Sequence, residues 1–390
     1  MFHTCAVSAA GSVSCWGQNA SGQLGDGSTS PQLKPTTVVE LDTEATTLAV
    51  GERHSCALTA SGEVWCWGDN HLGQLGNGTT SSSAVPSLVD GLSAGIVALA
   101  AGSNHNCAID TVGDAWCWGL NTSGQLGDGT TTRALQPRKV AGIGRAVDAI
   151  VAGSRHTCAV TDTGAMLCWG GNGSGQLGTG SASSRQLSPT PVLGMDSGVE
   201  AITAGTFHTC ARTRNNDVLC WGYNAGGQLG DGTTQSRRAP VAIDGIHMEV
   251  VQLTAGSLHS CAVAASGELR CWGGNAHGQI GIGSTADQWS PVSVNGPSPG
   301  IKAVTARCAL SNAGGVSCWG DTYTRVDGDI TAAPRLVPAV MPGLESGMVS
   351  VKTGDHSCAL SASGAAWCWG QNYSGELGDG SRNDSDVPSP

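Results

Sequence analysis

The feature that most constrains this chain is a spacing. Pairs of cysteines ten residues apart begin at positions 5, 56, 107, 158, 210, 261, 308 and 358, so that successive pairs are 51, 51, 51, 52, 51, 47 and 50 residues apart. Each pair lies in the same surroundings, clearest in Gly51–Gly78, which reads GERHSCALTASGEVWCWGDNHLGQLGNG. The order is His-x-Cys-Ala, a glycine turn, Cys-Trp-Gly, then a Gly-Gln-Leu-Gly loop. A fixed period of this length means one supersecondary unit per copy, each covering its apolar face with its neighbours. The 390 residues are therefore read as one domain, 1–390, of eight units of ~51 residues with the first and last incomplete.

Within a unit, punctuation by glycine and turn residues predicts four short strands. In 97–147 these are Val97–Ala101, an apolar run suited to burial on both faces, His105–Asp110, Ala115–Trp118 and Pro137–Val140. The proline places the fourth at an edge. No segment carries a sustained helical period. The expected fold class is all-β, with four-stranded antiparallel blades repeated radially as a β-propeller.

The cysteine spacing fits this directly. Cys107 and Cys117 flank their turn symmetrically, so a hairpin sets them opposite one another, within reach of a disulfide. The expected bridges are Cys5–Cys15, Cys56–Cys66, Cys107–Cys117, Cys158–Cys168, Cys210–Cys220, Cys261–Cys271, Cys308–Cys318 and Cys358–Cys368. Cysteines paired in this way point to an oxidising setting, extracellular or at the cell surface. Met1 is followed at once by His3 and Cys5 of a repeat, so an exported form is expected to have lost its leader, and the sequence reads as a fragment of a longer chain. No apolar run approaches the ~20 residues of a membrane helix, and no membrane insertion is expected in this segment.

Blade number follows less directly. Eight cysteine hairpins are present, but only seven apolar lead-in strands, near 47–50, 97–101, 147–152, 199–204, 249–254, 301–305 and 348–352. Seven complete blades are favoured on that count, with Thr36–Glu40 supplying a missing outer strand and the Cys5–Cys15 hairpin left as an extra. Eight blades with one incomplete is the alternative.

The residues Ala-Gly-x-x-His-x-Cys-Ala-Leu and Trp-Gly-x-Asn-x-x-Gly-Gln-Leu-Gly-Asp-Gly, clearest in Gly102–Gly129 and Gly153–Gly180, resemble the regulator-of-chromosome-condensation (RCC) repeat family across essentially the whole chain. The resemblance implies a β-propeller, typically of seven blades. It implies no single activity, because members include a chromatin-bound exchange factor for a small GTPase, a plant ultraviolet photoreceptor and a secreted β-lactamase inhibitor. The paired cysteines resemble those of bacterial exported or surface-attached relatives.

Composition narrows the function. Net charge is −11 and no basic run occurs, so no nucleic-acid partner is expected. No catalytic set, cofactor loop or metal cluster stands out, and the chain is read as non-enzymatic, with no cofactor. His3, His54, His105, His156, His208, His259 and His356 stand two residues before a cysteine and are read as structural. Glycine-rich loops such as Asn19–Gly27 carry too few carboxylates for calcium. Asn19, Asn77, Asn121, Asn172, Asn372 and Asn383 begin Asn-x-Ser/Thr sequons. Unit seven is aberrant, since Ala306-Arg307-Cys308 lacks the His lead-in and Asp321–Asp329 replaces the Gly-Gln-Leu-Gly loop.

Function is then expected where copies depart from the repeat. The departures are Arg133, Arg138, Arg155, Arg185, Arg237, Arg238, Trp289, Tyr323, Arg325 and Tyr373. Trp289, Tyr323, Arg325, Arg237 and Arg238 are the candidate partner-binding residues, being the aromatic and arginine types that anchor interfaces. The function expected is a binding scaffold for an unknown protein or cell-envelope partner. The alternative is a guanine-nucleotide exchange factor for a small GTPase.

Overall fold

The computed structural model describes residues 1–390 except 1, 42, 93–94, 244, 297–299, 322–324, 327–328 and 331–333. The described chain is all-β. It holds eight blade sheets, grouped four and four in two compact units, the first built mainly from residues 1–198 and the second from 199–373 and 381–390.

In the first unit, blade one is three-stranded, with strands His3–Val7, Val13–Gly17 and Gln32–Thr37. Blade two runs Ala45–Val50, His54–Thr59, Val64–Gly68 and Ser83–Leu88, and blades three and four repeat it from Ile96 to Lys139 and from Val147 to Pro191. In the second unit, blades five to eight span Val199–Ala242, Val250–Ser293, Ile301–Val340 and Met348–Ser389. Each is a four-stranded antiparallel meander.

Eight blades, not the favoured seven, are therefore present. The seven-blade count rested on inner strands, which are the easily read apolar ones. Thr36 and Thr37 do not complete a distant blade; they lie in the outer strand of the first hairpin itself, pairing Cys15 with Thr36 and Gly17 with Gln32. The last unit also has its outer strand, Ser385–Ser389, with Gly370 paired to Ser385. In both blades the outer strand starts fifteen residues after the glycine of Cys-Trp-Gly. These strands are polar and carry a proline, which suits an edge and hides them from a hydrophobicity reading.

The second and third strands of every blade are stapled where expected. The paired cysteines face each other in register, with Cα atoms 4.1–4.2 Å apart, and all sixteen are bridged. Closing a ten-residue loop removes at most ~3 kcal/mol of unfolded-state entropy per bridge. Each bridge fixes one hairpin and leaves contact between blades to other groups.

Those groups are the Gly-Gln-Leu-Gly turns. The glutamine's main-chain oxygen in one blade accepts the indole N–H of the next blade's Cys-Trp-Gly tryptophan. In the first unit Trp67, Trp118 and Trp169 donate to the oxygens of Gln23, Gln74 and Gln125 at 2.9–3.0 Å. The turn Ser374–Gly380 belongs to this unit, and its Glu376 oxygen accepts from Trp16 at 2.8 Å. In the second unit Trp221, Trp272 and Trp319 donate to Gln176, Gln228 and Gln279. The following leucine is fully buried beside the ring, as Leu24, Leu75 and Leu126 show. The second glycine of the turn is needed for this approach: a Cβ on Gly25 or Gly76 would stand 2.9 Å from the next indole, and both residues have positive φ.

The same oxygens accept a second donor. Ser55, Asn106 and Thr157, each just after the repeat histidine, bond the oxygens of Gln23, Gln74 and Gln125 at 2.9–3.0 Å. The preceding blade's histidine then donates Nε2–H to that same side chain: His3 to Ser55, His54 to Asn106, His105 to Thr157. The glycine of Ala-Gly-x-x-His makes room for the ring, since a Cβ on Gly51 would lie 2.0 Å from His54 Cε1. Gly51→Ala is predicted to lower unfolding stability by ~1–3 kcal/mol through overpacking. The penalty should shrink in a His54→Ala background, as measured by a denaturant double-mutant cycle.

Candidate partner-binding rim

The link between inner and second strand and the link between third and outer strand emerge at the same edge of each sheet. At that edge the residue before the repeat histidine is held by its main chain. Its oxygen accepts the N–H of the residue following Cys-Trp-Gly: Phe2 from Gln18, Arg53 from Asp69, Asn104 from Leu120, Arg155 from Gly171, Phe207 from Tyr223 and Leu258 from Gly274, at 2.7–2.9 Å. The backbone is thus fixed while the side chain is free to differ. In the first unit these positions carry Phe2, 43% exposed, Arg53, Asn104 and Arg155, with Glu52 beside Arg53. In the second they carry Phe207 and Leu258, 41% and 45% exposed, and Asp355 before His356.

A further variable position lies over the turn of the preceding blade. Leu33, Ala84, Leu135 and Leu187 occupy it in the first unit, where a Cβ on Gly375, Gly22, Gly73 and Gly124 would collide with them. In the second unit the occupants are Arg238, over Gly175, Trp289, over Gly227, and Leu336, over Gly278. Trp289 stands in the outer strand of blade six, Gln288–Ser293, with its ring on Gly227 and half its surface exposed. Gly226 packs on Gly274, and Gly274 on Leu258. Leu258 and Trp289 thus lie over neighbouring glycine backbone, and Phe207 and Tyr223 of the preceding blade are joined by the Tyr223 N–H to the Phe207 oxygen. Phe207, Tyr223 and Leu258 were missed by listing departures from the repeat, because they lie within its motif. The column of residues before the histidine (Phe2, Arg53, Asn104, Arg155, Phe207, Leu258) is the signal that finds them.

The other sequence candidates separate. Arg238 is exposed. Arg237 is engaged within its own blade, its Nε 2.8 Å from Asp231 Oδ2. Burial works against the Asp231 charge, but hydrogen bonds from Thr233 and Arg237 hold its carboxyl below the usual value. Tyr323 lies outside the described residues, and Arg325 falls in a two-residue strand paired with Asp329–Ile330. Among the remaining departures, Arg133 donates to the oxygen of His71 and Arg185 to that of Thr122, each binding the turn of the preceding blade. Tyr373 is 42% exposed.

No cluster of three metal-ligating side chains occurs among the described residues, and no described helix is long and apolar enough to cross a membrane. The turn asparagines are structural: Asn19 Oδ1 accepts from Leu24 N, and its Nδ2 donates to Asp26 and Ser28. Asn19, Asn121, Asn172 and Asn372 are buried, so in the folded protein these sequons offer no side chain to a glycan, whereas Asn383 is exposed.

Eight disulfide-stapled blades with a fixed interior and a variable edge define a β-propeller whose differences between copies are carried at its surface. The chain belongs to the RCC1-like domain family: the model of that domain matches residues 1–308, and that of the RCC1 repeat matches 349–376. It is 31% identical over 329 residues to the ultraviolet-B receptor UVR8 of Arabidopsis thaliana, covering 82% of this chain and 74% of that protein. It is 32% identical over 316 residues to the human E3 ubiquitin-protein ligase HERC2, covering 79% of this chain but 6% of that protein. Among solved structures it resembles human WBSCR16 (TM-score 0.69, 23% identity, 84% of this chain and 93% of that one) and yeast RCC1, Prp20, bound to Kap60 (TM-score 0.68, 23% identity, 96% and 82%). At that identity the likeness establishes the fold.

The buried histidines make the scaffold sensitive to acid. Burial lowers the pKa of His54 from its ordinary 6.5, takes His105 to about 3 with help from neighbouring His156 and His54, and takes His156, His259 and His356 to about 4. They are neutral in the fold and take up protons on unfolding. Their stabilisation is complete above pH 6.5 and is lost as pH falls from there towards 4. His105, His156, His259 and His356 should each cost roughly 2 kcal/mol between pH 7 and 5. Denaturant unfolding should show this slope, and His105→Asn should flatten it by one proton; a pH-independent stability would contradict the assignment.

Proposed function

We propose that this chain is an exported, non-enzymatic binding scaffold that docks a protein or cell-envelope partner on the variable edge of its second unit. The observation carrying this reading is the exposure of Phe207, Leu258 and Trp289 in the second unit, together with that of Arg238. Large rings on a fixed backbone lose little conformational freedom on binding and bury much area, which is the character of interface anchors. The buried interior of each blade is occupied by scaffold hydrogen bonds, leaving the differing residues to supply specificity. Sixteen bridged cysteines support an extracytoplasmic setting.

The test is affinity capture from an envelope fraction with the wild-type chain and with a Phe207→Ser/Leu258→Ser/Trp289→Ala variant. Partners held by the wild type should be lost by the variant, while its unfolding midpoint stays close to the wild-type value because the three side chains are exposed. Equal capture by both removes this surface from the proposal. Release of bound nucleotide from a panel of small GTPases should not be accelerated; acceleration would replace the scaffold reading with nucleotide exchange.

A further inference from the structure

Among the described residues, blade one alone has no inner strand. In the other seven blades the strand of the first cysteine is paired on one side with the Cys-Trp-Gly strand and on the other with an apolar inner strand. His3–Val7 pairs, among the described residues, with Val13–Gly17 alone. Burial differs accordingly. The corresponding His54–Thr59 of blade two is wholly buried, whereas Thr4, Cys5, Ala6 and Val7 are half-buried.

The register fixes which main-chain groups this leaves outward. The Cα atoms of Cys5 and Cys15 are 4.2 Å apart, the spacing of a non-hydrogen-bonded antiparallel pair, so the N–H and C=O of Cys5 point away from Cys15. Ser8 donates to the Ser12 oxygen at 2.9 Å, so Val7, by alternation, is turned away from Val13 in the same manner. Cys5 and Val7 thus present an open sheet edge. In blade two their equivalents, Cys56 and Leu58, pair with Ala49 and Thr47 of the inner strand. The inner strands also show what such an edge accepts. Ile96-x-x-Leu99, Val147-x-x-Ile150 and Val199-x-x-Ile202 are each followed by two residues no larger than valine and then by glycine. All seven inner strands are already paired in their own blades, so an eighth has to come from outside these 390 residues.

We propose that the open edge of His3–Val7 binds an extended strand of a partner polypeptide, antiparallel and of the pattern aliphatic-x-x-aliphatic-small-small-Gly, which completes blade one as its inner strand. Main-chain hydrogen bonds to Cys5 and Val7 supply affinity, and the aliphatic side chains that complete the burial of Cys5, Ala6 and Val7 supply selectivity. This edge is separate from the exposed residues around Trp289, and either can fail without the other.

A synthetic peptide with the sequence of residues 146–154, AVDAIVAGS, is the probe, added to the intact chain. In the free chain the Cys5 and Val7 amides should exchange with solvent faster than those of Cys56 and Leu58, and saturating peptide should slow them. N-methylation of the peptide at the positions of Ala149 and Val151, which face Val160 and Cys158 in blade four, should weaken binding about tenfold per methyl by calorimetry, the loss expected for one buried hydrogen bond. N-methylation at the Ile150 position, whose N–H points the other way, should cost less. Val7→Pro removes the chain's own N–H at the edge without touching its pairing with Val13 and should weaken binding to a similar degree, with an unfolding midpoint near the wild-type value. Free-chain amides of Cys5 and Val7 as protected as those of Cys56 and Leu58, absence of saturable binding at millimolar peptide, or equal affinity for the doubly methylated peptide overturns the proposal.

Discussion

The interaction on which the rest depends is a main-chain oxygen with two donors. The carbonyl of Gln23, Gln74, Gln125, Gln176 or Gln228 receives an indole N–H and a hydroxyl or amide from the next blade. A buried carbonyl has two lone pairs, and leaving either donor unmet would cost ~1–3 kcal/mol. The turn must therefore adopt one geometry, which explains its glycines, and the tryptophan must lie at one depth, which explains its place beside the cysteine. The disulfide holds the hairpin from which that tryptophan projects.

This arrangement separates what can vary from what cannot. Histidine, tryptophan and turn glutamine are interior and bonded across blades, so substituting them disturbs two blades together, whereas each cysteine pair is interior to one. The residue before the histidine is different. Its oxygen is held by a neighbouring N–H, but its side chain faces solvent, and it can be arginine in one copy and phenylalanine in another without changing the backbone. Trp289 shows the same freedom at a second position, where its ring sits on Gly227 while half its surface is exposed. Blade seven departs from the repeat at the shared turn itself, where Asp321–Asp329 replaces Gly-Gln-Leu-Gly.

The parts of the fold that were legible are those with strong local chemistry. The cysteine spacing gave the hairpins and all eight bridges, because residues symmetric about a turn must face each other in an antiparallel pair. His105–Asp110 was delimited correctly because the turn residues Thr111–Asp114 mark its end. The blade count was misread because it rested on inner strands, and the described first blade, His3–Val7, Val13–Gly17 and Gln32–Thr37, has only three strands and none at the inner position. For the site, Trp289 stood out as an aromatic away from the repeat's tryptophan position, but its seat on Gly227 depends on a contact between blades that no local pattern encodes. Arg237 stood out equally, and its pairing with Asp231 was hidden in the same way. Phe207 and Leu258 were concealed by the regularity of the motif around them.

The central claim is that the turn oxygens bind the tryptophans of the next blade. Hydrogen exchange of the indole N–H groups, resolved by NMR, tests it most directly. The account predicts slow exchange for Trp16, Trp67, Trp118, Trp169, Trp221, Trp272 and Trp319, at rates that report unfolding of their blades, with exposed Trp289 exchanging quickly. Exchange of those seven at rates like that of Trp289 would contradict it.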